Sequence, residues 1–136
     1  MKFSRIICLL AVVFPAVASG QTYPTKPIRL VVPFAPGGSS TIVARSVAIE
    51  MEKALGQSIV IENKGGGGGN PAMLDVARAD ADGYTLLITH IGSLALNPFL
   101  YSSLPFDVNR DFAHISLLAK VPNIFVVHES VPARDV

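Results

Sequence analysis

Residues 28–32, Ile-Arg-Leu-Val-Val, form a nearly continuous apolar run, the pattern of a strand buried on both faces of a parallel sheet, and Pro33 and Pro36 end it. From Ser39 to Leu55 the period changes. Val43, Val47 and Met51 recur every fourth residue with Ala44, Ala48 and Leu55 beside them, while Arg45, Glu50 and Lys53 fall elsewhere. That spacing predicts an amphipathic helix, with Gly56 suited to its left-handed C-terminal stop. Residues 58–62 predict a second strand, so the chain opens strand, helix, strand, the order of a right-handed parallel crossover.

Five consecutive glycines, 65–69, follow. They cannot hold one conformation by themselves, so this loop is expected to be mobile or ordered only by contacts. Asn70 as N-cap and Pro71 at the first helical position predict a short helix through Arg78. Asp82-Gly83 marks a turn and residues 84–89 a third strand. Residues 90–93 read as a loop leading to a helical turn near 94–96. Asn97-Pro98 and Leu104-Pro105 are further breaks. Residues 112–118 and 124–127 predict two more strands, and residues 131–136 the start of another helix. No fixed-period repeat is present.

Part of the apolar pattern belongs to export rather than to the fold. Lys2 and Arg5 precede a short apolar run, residues 6–14, and then Pro15-Ala16-Val17-Ala18. This is the order of a secretory signal peptide, spanning residues 1–20 with cleavage expected near 18–20, and the run is short for a membrane span. Cys8, the single cysteine of the 136 residues, lies inside it, so the mature chain is expected to carry no disulfide and no cysteine-based metal site. Losing Lys2 and Arg5 turns 11 basic against 10 acidic residues into 9 against 10, a net charge of −1. Such a balance offers nothing to attract a nucleic acid backbone. With half its residues apolar and 15% charged, the sequence is that of a folded domain.

In open α/β sheets ligands bind beyond the carboxyl ends of the strands. Pro36-Gly37-Gly38-Ser39-Ser40-Thr41 occupies that place after the first strand, joining close-approach glycines to unpaired helix-start N–H groups and three hydroxyls. An anion is the natural guest, unless one hydroxyl merely caps the helix. The loop has neither a Gly-Lys-Ser/Thr ending nor a G-x-G-x-x-G fingerprint, which argues against a nucleotide. His90, Ile91, Gly92 and Ser93 fall on the same edge after the third strand. His114 and His128 have no zinc-ligand spacing, and Glu50 and Glu52 fit a solvated helix face. Ser93 lacks the second glycine of a nucleophile elbow, and no nucleophile–base pair or tuned carboxylate pair is legible, so no enzyme activity is expected.

The stretches "YPTKPIRLVVPFAPGGSSTIVAR", "LGQSIVIENKGGGGGN", "DGYTLLITHIGSLALNP", "LYSSLPFDVNRDF" and "VPNIFVVHESVPARDV" together resemble the periplasmic substrate-binding receptors of tripartite tricarboxylate transporters, the Bug receptors. The resemblance implies an α/β fold: part of the first lobe of a two-lobed periplasmic binding protein (type II-like), mostly parallel sheet flanked by helices. It also implies capture of a small organic acid for membrane permease subunits. It further implies a periplasmic location, no cofactor and no metal. Matched residue by residue, Ala35, Pro36, Gly37, Gly38 and Ser39 correspond to the family's loop after the first strand and His90, Ile91, Gly92 and Ser93 to its loop after the third; together with Ser40 and Thr41 from the loop reading above, ligand contacts are expected from Ala35, Pro36, Gly37, Gly38, Ser39, Ser40 and Thr41 and from His90, Gly92 and Ser93.

Three departures stand out. Thr41 replaces a usual acidic residue. Lys64 is followed by glycines where the family tends to have Pro-Gly-Ala-Gly-Gly, which is expected to loosen the loop by about 0.4–1 kcal/mol per replacement. Members of the family are well over twice as long, so residues 21–136 are expected to be an incomplete lobe one, a monomer if folded, lacking the second lobe and the return of the chain. The alternatives are a remnant that binds nothing and, behind it, a hydrolase-like enzyme using Ser93 or His90.

Overall fold

The computed structural model describes residues 23–122, 124 and 126–132; the segment read as a signal peptide and most of the helix expected over residues 131–136 lie outside the described residues. Three parallel strands form its centre: β1 (Ile28–Val32), β2 (Ile59–Asn63) and β3 (Thr85–Leu87), in the order β2-β1-β3. Ile28 pairs with Ile59, and Arg29 with Thr85. The first strand is therefore central, and its apolar run reflects burial from both sides.

Alternation along β1 sends Ile28, Leu30 and Val32 to one face, where they pack with Ala44 and Ala48 of helix α1 (Ser39–Leu55) and with Ile59. Small alanines let the helix lie close to the sheet. Arg29 points to the other face, toward helix α2 (Asn70–Ala77), and Val31 shares that side. Each fully buried aliphatic side chain in this core contributes about 1.5–3 kcal/mol. Helix α1 ends where expected: Gly56 takes a left-handed φ of 68° and donates its N–H to the Glu52 carbonyl. The Glu52 carboxylate accepts the Ile59 N–H at 2.8 Å, which ties that last turn to the start of β2.

Several expectations need correction. Asn70 is not the cap of α2. Its backbone is already helical, Gly69 precedes the helix in a left-handed conformation, and the Asn70 side chain is drawn to Asn97 instead. The third strand is shorter than residues 84–89, because Ile88 is the last residue to bond β1. Helical structure begins earlier than 94, as a widened π-type turn over Gly92–Leu96 that runs into α3 (Asn97–Leu100).

Residues 112–118 and the described part of 124–127 carry no regular structure and are not strands. Among the described residues neither pairs with the free edge of β2 or β3, and Ile115, Leu117, Ile124 and Val126 stay largely exposed. An alternating pattern makes a strand only where a neighbouring edge supplies hydrogen bonds. Val131 closes a turn on His128, and Pro132 after it is not helical.

Candidate functional site

The carboxyl ends of β1 and β2 and the start of the helical segment after β3 converge on one edge of the sheet and enclose an open cleft of about 680 Å³. Three chain segments line it: Pro33 to Pro36, the glycine loop (Gly65, Gly66, Gly68, Gly69), and His90 with Ser93 and Asn97. Among the described residues no formally charged side chain lines it.

Helix α1 starts at Gly38 without a side-chain cap, so none of the three hydroxyls closes the helix end. Among the described residues, the N–H groups of Gly37, Ser39 and Ser40 meet no internal acceptor, while Gly38 closes the turn that begins at Ala35. These residues sit at the rim of the cleft's first wall rather than among its lining, whereas Ala35 and Pro36 belong to the lining. Thr41 is elsewhere. It is buried on the inner side of α1, and its hydroxyl accepts a hydrogen bond from Asn63 at 2.8 Å. The same Asn63 amide donates to the Phe34 carbonyl at 3.0 Å, so Thr41 and Asn63 hold the β1–α1 connection against the end of β2. That is a positioning task.

The glycine run turns out to be shaped by contacts. Gly66, Gly67, Gly68 and Gly69 all have positive φ, from 54° to 106°, and Gly69 is buried against Pro33. A Cβ on Gly65 would come within 2.8 Å of the Ala35 nitrogen, and one on Gly68 would collide with the Tyr101 hydroxyl. The proline and alanine that the resemblance would place at 65 and 67 do not suit this backbone, since Gly67 sits at φ 54°.

Below the loop, Asn97 donates to the Gly68 carbonyl at 2.9 Å and to the Asn70 side chain at 2.8 Å, and Ser93 Oγ lies 3.4 Å from the same carbonyl. Ser93 is 1% exposed and Asn97 6%. The widened turn at Gly92–Leu96 lets both side chains face the loop. At the loop's ends, Lys64 donates to Asp75 at 2.7 Å, and Arg29 bonds the same carboxylate and Glu62. The hydrogen bonds from Lys64 and then Arg29 hold the Asp75 carboxyl below its ordinary range, and Asp75 in turn raises Arg29.

His90 stacks on Phe34 with ring centroids 4.4 Å apart. Its Nδ1 accepts the Gly92 N–H at 3.0 Å and lies 3.4 Å from the Ser93 nitrogen. The Gly92 position serves this ring: a Cβ there would lie 2.7 Å from His90 Cε1. Ser93 and His90 are thus engaged with the backbone rather than with each other. The sequence reading missed the glycine loop, Phe34 and Asn97. In the sequence Asn97 is only a break before Pro98, and nothing local announces a partner 29 residues away.

The sequence profile described as "Tripartite tricarboxylate transporter family receptor" (TctC) matches residues 43–136. The chain belongs to that receptor family. A UPF0065 protein from the TAR-I ttuE-ttuC' intergenic region of Agrobacterium vitis is 44% identical over 126 residues, covering 90% of this chain and 36% of the relative. Among solved structures, MatC from Rhodopseudomonas palustris with bound malate is 42% identical at a TM-score of 0.68, covering 71% of this chain and 33% of that one. The periplasmic binding protein BugD is 44% identical at a TM-score of 0.63, covering 66% and 30%. The chain therefore spans about a third of the length of these receptors and shares their periplasmic-binding-protein fold, here as a parallel three-stranded sheet flanked by helices.

Proposed function

We propose that this chain supplies the first wall of a periplasmic receptor that captures a small di- or tricarboxylate and passes it to the permease subunits of a tripartite tricarboxylate-type transporter. The observation that carries the reading is the cleft itself. It lies at the carboxyl ends of parallel strands, has the size of a small-molecule site, and is walled by main chain whose donors are unspent. Among the described residues the N–H groups of Phe34, Ala35, Gly65, Gly66 and Gly68 have no internal acceptor. Carboxylate oxygens accept such bonds without a proton of their own, and charge-assisted bonds of this kind are about twice as strong as neutral ones.

The malate held by a relative with the same fold supports an organic acid as the guest. The charge pattern of residues 1–20 supports export. Isothermal calorimetry of the purified protein against malate, succinate, adipate and citrate tests the reading. Saturable binding of at least one, lost on replacing the carboxylates by amides, is the expected result. Heat no greater than dilution for all four would remove it.

A further inference from the structure

We infer that His90 is a specificity-determining residue of this cleft: its Nε2–H donates to a second acceptor oxygen of the bound acid, so that the site discriminates between di- and monocarboxylates. The inference rests on the receptor reading above. Its ground is the hydrogen-bond geometry of the ring.

Nδ1 accepts from the Gly92 amide at 3.0 Å, with the Ser93 amide close by at 3.4 Å, and a nitrogen that accepts carries no proton. The proton of the neutral imidazole therefore sits on Nε2. Phe34 fixes the ring plane by stacking at 4.4 Å, and the bare Cα of Gly92 leaves room for the ring edge. Nε2 has no protein partner among the described residues, on a ring that lines the cleft.

The other polar side chains of the lining are already spent. Asn97 gives both amide hydrogens to Gly68 and Asn70, and the nearest partner of the Ser93 hydroxyl is the Gly68 carbonyl. Among the described residues His90 is then the one lining side chain with a directed N–H left to give, while the remaining donors are backbone amides on the other two walls. A first carboxylate suits those amides, and a second oxygen group finds the imidazole. A site that spends a donor on one substrate group penalises the analogue lacking it, because the donor is left unpaired.

The experiment compares malate with 2-hydroxybutyrate and 3-hydroxybutyrate, in which one or the other carboxylate is a methyl group, on the wild-type protein and on H90F and H90Q. In H90F the ring stack on Phe34 is kept and the donor is gone. Malate affinity should fall about tenfold or more, while that of the better monocarboxylate stays within about twofold, so the discrimination ratio collapses. H90Q, which keeps an amide N–H, should restore most of the ratio.

Equal losses for di- and monocarboxylate in H90F would mark a merely structural ring and overturn the inference, as would an unchanged ratio. NMR of isotope-labelled imidazole nitrogens in the wild-type protein gives the same answer without a variant. Nε2 should be the protonated nitrogen and should shift on adding malate but not on adding the better-bound monocarboxylate. A protonated Nδ1 beside a bare Nε2 would overturn the inference. Should another of the four acids bind in place of malate, it is compared with its own monocarboxylate analogues in the same way; failure of all four acids to bind the wild-type protein would instead remove the receptor reading beneath it.

Discussion

Two glycine-containing loops meet at the cleft, and they use glycine for opposite purposes. In Pro36-Gly37-Gly38, only Gly37 has a positive φ; Gly38 is an ordinary extended residue with open space around it. There Gly37 leaves its amide uncovered. In Gly65–Gly69, close contacts to Ala35, Tyr101 and Pro33 crowd a Cβ at positions 65, 68 and 69, and the positive φ values from Gly66 to Gly69 disfavour a side chain even at Gly66, where space is open. There glycine is a requirement of packing, and the loop is held from below by Asn97 and at its ends through Lys64 and Asp75. A run of identical residues thus behaves as a shaped element, while the more varied loop is the permissive one.

Substitutions can break this contrast. Gly69→Ala should cost the most, about 2–3 kcal/mol in urea-induced unfolding, since it combines φ 84° with a Cβ 3.0 Å from Pro33. A loss below about 0.5 kcal/mol would mean the loop rearranges freely. Asn97→Ala leaves the Gly68 carbonyl without its main donor and should lower stability by about 1–2 kcal/mol. It should also speed amide hydrogen exchange at residues 66–69 more than in the β strands. Uniform acceleration would show that Asn97 supports the whole domain rather than the loop.

The acid sensitivity of the Lys64–Asp75–Arg29 group should be smaller. Asp75 is held below its ordinary value of 3.8, so its pairing contributes stability above that pH. The contribution is lost as pH falls through the lowered folded-state value. Asp75→Asn should therefore be less stable than wild type at pH 7, by under about 1 kcal/mol because the partners stay partly exposed, and the two should converge under acid. A gap that persists below pH 2 would point to packing rather than charge. Gly38→Ala should be nearly silent or stabilising by about 0.4 kcal/mol through the unfolded state. A marked loss of stability there would equate the two loops.

The regular elements could be read from local pattern because each states its period within a few residues. The β1 run, the four-residue spacing from Val43 to Met51 and the stop at Gly56 all lie where pattern reasoning puts them. The site was half readable. Ala35, Pro36, His90 and Ser93 could be placed from their position after strands, but five glycines carry no preference that would reveal which faces Pro33 and which faces Tyr101. Asn70 looked like a cap because caps are local, and the bond that decides its role comes from Asn97. Residues 112–118 alternate like a strand, yet pairing is a property of two segments and only one was in view.

The absence of lysine and arginine from the cleft's lining reaches into kinetics. This wall supplies no cationic funnel, so by itself it adds little long-range attraction for an anion and leaves ionic strength little to screen.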